Sequence, residues 1–243
     1  MNSTSLGTNR FTTTHWSVVL AASSSSSPHY EEALSSLCQT YWFPLYAYLR
    51  KGGYDTHLAE DYIQAFFLRM LEKQYLSKVE QNRGKFRSFL LVALKRFVAD
   101  QHDLAHAFKR GGGQKRLSID IEFAEGKYAL EPVSDLSPER IFEKSWALAV
   151  LEHTMAHLKA EFTDMNKQKL FDCLKVYIGG ELKSVPYRKV AADLNMTEDA
   201  VKAAVYRLRK RYRQQLRDII AQTVTTHEQI NEEIQDLFVA IAD

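Results

Sequence analysis

Apolar residues recur at three- and four-residue spacing along most of this chain, and that spacing predicts helices. From Tyr30 to Arg50 the apolar set is Ala33, Leu34, Leu37, Tyr41, Leu45 and Tyr48. Pro44 interrupts it and predicts a kink or a division into two helices; Gly52-Gly53 ends it. From about Thr56 to Leu76 the stripe is Ala59, Tyr62, Ile63, Phe66, Phe67, Met70 and Leu71. Asp61, Gln64 and Leu68 share an edge of that helix away from the centre of the stripe. From about Lys85 to Phe108 a third stripe contains Phe86, Phe89, Leu90, Ala93, Leu94, Phe97 and Val98, with Arg83, Lys85, Arg87, Lys95 and Arg96 around it. Gly111-Gly112-Gly113 then breaks the pattern and marks the clearest boundary in the chain.

The ends and the middle read differently. Thr14 to Ala22 predicts a short helix, and Ser23 to Pro28 a loop. Leu117 to Phe123 alternates as a half-buried strand would, but one strand makes no sheet, so it is an extended linker segment. Ser137 is placed to cap a helix with Pro138 at its first position. Ile141, Trp146, Ala149, Val150, Thr154, Leu158 and Phe162 continue that helix. Leu170, Phe171, Leu174 and Tyr177 mark another, closed by Gly179-Gly180.

Pro186 to Leu194 predicts a short helix, Asn195-Met196 a turn, and Thr197 the cap of a helix reaching at least Arg213. Asn tolerates a left-handed backbone better than other non-glycine residues. Ala191 lets the two helices cross closely, and Val201 fills the crossing from the second. Val205, Leu208 and Tyr212 extend the buried face. This is the pattern of a helix-turn-helix, whose second helix enters the DNA major groove. Near its start, Asp199, Lys202, Ala203 and Tyr206 are placed for base edges, beside the cap Thr197. Arg207, Arg209, Lys210 and Arg213 are placed for phosphates.

Composition narrows the class. Apolar residues are 45% of the 243, enough for a core, while 10 Gly and 5 Pro are too few for an all-β sandwich. The expected fold is all-α. Cys38 and Cys173 fit no metal spacing and suit a reducing cytosol. No apolar run is long enough to span a membrane, and MNSTSLGTNR lacks the order of a signal peptide.

The net charge of +2, which taken alone argues against a nucleic-acid partner, is a cancellation. Residues 78–116 carry +7 and residues 187–217 carry +6, against −6 over 117–165 and −6 over 218–243. Two basic blocks on helical segments fit two contacts with a polyanion. The acidic segments are placed to compete for those basic faces within one chain.

The stretches Tyr41 to Lys73 and Arg83 to Gly113 resemble region 2 of bacterial sigma-70-family factors of the extracytoplasmic-function (ECF) class. Pro186 to Arg217 resembles region 4. The resemblance implies two small helical domains on a flexible linker. These are a region 2-like domain over 30–110 and a region 4-like domain over 138–220, joined by 111–137. A terminal extension (1–29) precedes them and an acidic C-terminal helix (221–243) follows.

The resemblance also implies partners and roles. Core RNA polymerase would be met at the β′ clamp helices and the β flap, and promoter DNA at two elements. An anti-sigma factor is a further candidate partner. Asp61 and Gln64, with Phe67 and Leu68, would dock on the polymerase; Ala65 stands where the usual motif has an acid. Asn82, Arg83, Lys85, Arg87, Lys95 and Arg96 would read and open the −10 element. The recognition helix would bind the −35 element. Neither a cofactor nor catalysis by the chain itself is implied. Phe86 and Phe97, on the apolar stripe, are expected in the core.

Two other classes stay open on the residues alone. One is a stand-alone helix-turn-helix regulator. The other is a helical metal-dependent hydrolase, motivated by the pairs His102/His106 and His153/His157. Zinc needs more ligands than a pair supplies, and no phosphate loop or nucleophile elbow accompanies them.

Overall fold

The structure, a computed structural model, describes residues 28–71, 85–107, 125–126, 128, 135–179, 185–224 and 226–242. The expected helix at Thr14–Ala22, the segment Leu117–Phe123 and most of the linker lie outside these residues. Among them are eight α-helices: α1 (Pro28–Lys51), α2 (Thr56–Leu71), α3 (Phe86–Ala107), α4 (Pro138–Asp164), α5 (Gln168–Leu174), α6 (Tyr187–Leu194), α7 (Glu198–Ala221) and α8 (Glu228–Ala242). No strand occurs among the described residues, and the fold is all-α.

Helix α1 runs through Pro44 as a single element, so the expected division into two helices is not seen. Proline removes one backbone donor and crowds the preceding turn. Burial of Tyr41, Phe43, Leu45, Tyr46 and Ala47 around it offsets that loss. The helix ends at Gly52-Gly53, where Gly53 takes φ +92°, a region closed to most side chains. Asp55 then caps α2, its Oδ1 accepting the Leu58 N–H at 2.9 Å. Ser137 caps α4 by accepting the Arg140 N–H at 3.3 Å, with Pro138 in the first turn, as the sequence predicts.

Two apolar clusters hold the helices together. The first joins α1, α2 and α3 with Ile141, Phe142, Trp146, Ala147 and Val150 of α4. It continues into Leu216 and Ile220 at the end of α7, Val224, and Ile230, Leu237 and Ala240 of α8. The second joins Leu158 and Phe162 of α4 with Phe171, Leu174, Tyr177, Val190, Ala191, Val201, Ala204, Val205 and Leu208. Helices α4 and α7 therefore run through both clusters. The 27 residues of α4 give it a length of ~40 Å at 1.5 Å per residue. Its amino half packs along α1, and its carboxyl half supports the helix-turn-helix.

Candidate nucleic-acid interface

The helix-turn-helix is built by local rules. The backbone at Asn195 takes φ 53° and ψ 48°, the left-handed conformation that ends α6. The N–H groups of Asn195 and Met196 donate to the carbonyls of Ala192 and Ala191 at 3.2 and 2.9 Å. Thr197 Oγ1 accepts the Ala200 N–H at 3.2 Å, and Glu198 and Asp199 sit where the helix dipole favours negative charge. Ala191 is buried at the crossing, with Val201, Ala204, Val205 and Leu208 beneath the second helix. The opposite face of α7 exposes Lys202, Ala203, Tyr206, Arg207, Lys210 and Arg213 to solvent. Tyr206, 68% exposed, is a large aromatic side chain with its ring in water.

Two of the sequence-assigned residues on this helix have contacts that the sequence does not show. Lys202 Nζ lies 3.0 Å from Asp199 Oδ1, and this pairing raises the lysine pKa. Arg209 Nε donates to the Tyr177 carbonyl at 2.9 Å, so one edge of its guanidinium fastens α7 to the turn after α5. Arg211, outside the assigned set, pairs with Glu161 and lies 5.9 Å over the Phe162 ring.

The edge assigned to polymerase is only partly on the surface. Asp61 is exposed and Leu68 half-buried. Gln64 is 8% exposed and donates to Glu60 Oε1 at 2.8 Å. Phe67 is 4% exposed and belongs to the core, because the α2 stripe is wide enough to carry it inward. In this conformation Phe67 is therefore a packing residue and not a surface contact.

The basic residues assigned to the −10 element diverge more sharply. Asn82 and Arg83 lie outside the described residues. Arg96 is exposed. Lys95 pairs with Glu139 at 2.7 Å, and that lysine pulls the Glu139 carboxyl below its usual value. Arg87 is interior. Its Nε meets Glu233 Oε1 at 2.8 Å and its Nη2 meets Asp236 Oδ2 at 2.5 Å, while Nη1 pairs with Glu143. Its guanidinium stands 4.4 Å over the Trp146 ring, and Trp146 Nε1 donates to Tyr41 Oη at 3.2 Å.

Burial works against the Arg87 charge, and the surrounding carboxylates outweigh it and raise the pKa. Lys85 adds contacts of 2.7 Å to Asp236 and 3.1 Å to Glu233. Sequence reading placed Arg87 on the surface because arginine borders an apolar stripe. The three carboxylates that bring it inside come from α4 and α8, at least 56 positions further along. Their only trace in the sequence is the pair of acidic blocks. Phe86 and Phe97 are core residues, as expected.

A cleft of about 370 Å³ lies between α1, α4 and α7, lined by Thr40, Trp146, His153, His157 and Gln215 among others. The two imidazole Nε2 atoms are 3.0 Å apart. Burial first, and His157 second, hold His153 below its ordinary pKa. Among the described residues, no group of three His, Cys, Asp or Glu could hold a metal ion. No helix there is long and apolar enough to cross a membrane.

An all-helical chain whose helix-turn-helix exposes a basic, aromatic-bearing face has the form of a DNA-binding transcription factor. A family model described as ECF sigma factor matches residues 55–218. The chain belongs to that family, whose members are transcription initiation factors and not enzymes. No curated protein and no solved structure matches it.

Proposed function

We propose that the chain binds core RNA polymerase and directs it to promoters. The −10 element is read and opened by the α2–α3 region, and the −35 element is bound by α7. The observation that carries this reading is the outward face of α7. A left-handed turn and a threonine cap set the helix at a sharp angle. Lys202, Ala203 and Tyr206 stand near its start, with Arg207, Lys210 and Arg213 behind them. Residues near the start reach base edges and the later cations meet phosphates. Asp61 supplies an exposed acid for the polymerase on α2.

Polymerase holds the 30–110 and 138–220 units at the spacing of the two elements, which requires the packing of α4 on α1 to give way wherever that spacing exceeds the closed arrangement. Two weak contacts then act as one strong contact through effective concentration. Strand opening needs capture of unstacked bases beside cations, the role of the −10 set. The protein acts in the cytoplasm, alongside the polymerase, which supplies the chemistry.

In vitro transcription with core polymerase and a promoter library tests the reading. Initiation that depends on the chain, at sites sharing two separated motifs, is the expected result. Site-specific DNA binding without polymerase and without initiation would instead support a stand-alone regulator. Asp61→Ala, a surface change, lowers polymerase binding while leaving the fold intact; retained binding sinks that contact.

A further inference from the structure

We propose that α8, with the turn preceding it, is an autoinhibitory clasp. It occupies the amino end of α3 and withholds Lys85 and Arg87 from DNA until polymerase and promoter displace it. The inference rests on the −10 role proposed above for that end of α3.

Three features of the contact carry it. The first is its chemistry. Lys85 and Arg87 face Glu232, Glu233 and Asp236 from α8 and Glu143 from α4. Two cations meet four carboxylates, so a spot that would be positive on α3 alone is negative in the closed chain. A phosphate approaching it is repelled, and the two groups that would meet it are already engaged. The second is its place. The Phe86 N–H, in the first turn of α3, donates to the Thr223 carbonyl at 3.0 Å, and an isolated antiparallel bridge joins Lys85 to Val224. The α7–α8 turn thus sits on the backbone at the start of α3, next in the chain after Asn82 and Arg83 of the expected −10 set.

The third is that α8 depends on its docking for its shape. Of its 15 residues, Ile230, Leu237 and Ala240 are the buried apolar ones, while Phe238 and Val239 are more than half exposed. A helix of this length is marginal alone in water. It holds its shape by docking and can lose it on release. Because α8 continues from α7, the same clasp ties the recognition helix to α3. Arg217 Nη1 bonds Asn231 Oδ1 at 2.8 Å across that junction. Release would uncover Lys85 and Arg87 and remove this tie, leaving α4 and the end of α7 as the links between the two clusters. A permanent strut would instead keep Lys85 and Arg87 covered at the promoter.

Two full-length-derived variants separate clasp from strut. One ends at His227. The other is Leu237→Asp, which undocks α8 by its apolar side (Leu237 is 0% exposed) while adding a negative charge. Tighter DNA binding by the second therefore cannot come from lost acid. The probe is a labelled single-stranded DNA of random sequence, followed by anisotropy across a salt series without polymerase. Both variants should bind about tenfold tighter than the parent, with a log–log salt slope steeper by ~1.4, two phosphates at about 0.7 each.

Parent-like affinity and slope in both folded variants overturn the clasp. If circular dichroism shows either unfolded, Glu232→Gln with Asp236→Asn decides by the same readouts, set against Asp164→Asn with Asp218→Asn, which removes the same charge away from α3. Those two side chains are 62% and 45% exposed, so the core is spared. Initiation assays with core polymerase separate the two readings. Initiation by the parent together with parent-like DNA binding by the free variants rejects the clasp alone, and no initiation by any of them rejects the sigma-type role beneath it.

Discussion

Arg87→Ala distinguishes an interior tie from a DNA-facing arginine without any DNA in the assay. The Arg87 side chain is 8% exposed and Glu233 is 0% exposed, so truncation leaves a buried carboxylate without its guanidinium and with Lys85, 3.1 Å away, as its remaining cation. Removing one partner of a buried pair costs about 3–5 kcal/mol, most of it the penalty of the charge left behind. The stacking on Trp146 at 4.4 Å is lost as well. For a chain of this size 1 kcal/mol moves Tm by roughly 2–4 °C, so the expected fall is roughly 6–20 °C.

Urea unfolding followed by far-UV circular dichroism measures the loss directly. Arg87→Met with Glu233→Gln should recover part of it, because the second change removes the stranded charge. A surface arginine waiting for DNA would behave otherwise, its truncation staying within about 0.5 kcal/mol of the parent. That result would refute the interior assignment and the clasp argument with it.

Thr197→Ala removes the cap of the recognition helix and should lower stability by about 1 kcal/mol with the fold retained, read by urea unfolding. Lys202→Ala should change which promoters are preferred. Arg213→Ala should weaken all of them and flatten the salt slope by ~0.9, as one lost phosphate contact requires. Uniform losses from both would count against base reading by Lys202. His153 carries a pH signature. Its pKa is lowered in the fold, so the unfolded chain binds more protons once pH drops below the ordinary imidazole value. Its contribution is intact above that value and is lost as pH falls toward the lower, folded one. His153→Gln should flatten this limb, and unchanged curvature between neutral and mildly acidic pH would overturn the assignment.

Much of this molecule follows from short-range rules. The caps Ser137 and Thr197, the left-handed Asn195 and the break at Gly52-Gly53 depend on neighbours within four or five positions. So do the apolar stripes of α2, α3 and α7, and all of these are legible in the chain. The outward face of α7 is legible for the same reason, because helical periodicity alone decides which side chains oppose Val201, Val205 and Leu208. Pro44 marks a limit even locally. A proline predicts an interruption, yet α1 continues because the packing of its own turn outweighs one missing hydrogen bond.

The fate of the basic residues was beyond that range. Lys95, Arg87 and Lys85 look alike in sequence, as cations beside an apolar stripe. Whether each meets water, DNA or a carboxylate depends on where Glu139, Glu143, Glu233 and Asp236 arrive in space. The alternation of basic and acidic blocks foretold that such meetings could occur, but not between which atoms. Residue periodicity fixes the face of a helix, whereas the partner of that face is set by how distant helices pack. Here the path of α4 and α7 through both apolar clusters brings the acidic end of the chain onto the start of α3, and that path is a property of the tertiary structure alone.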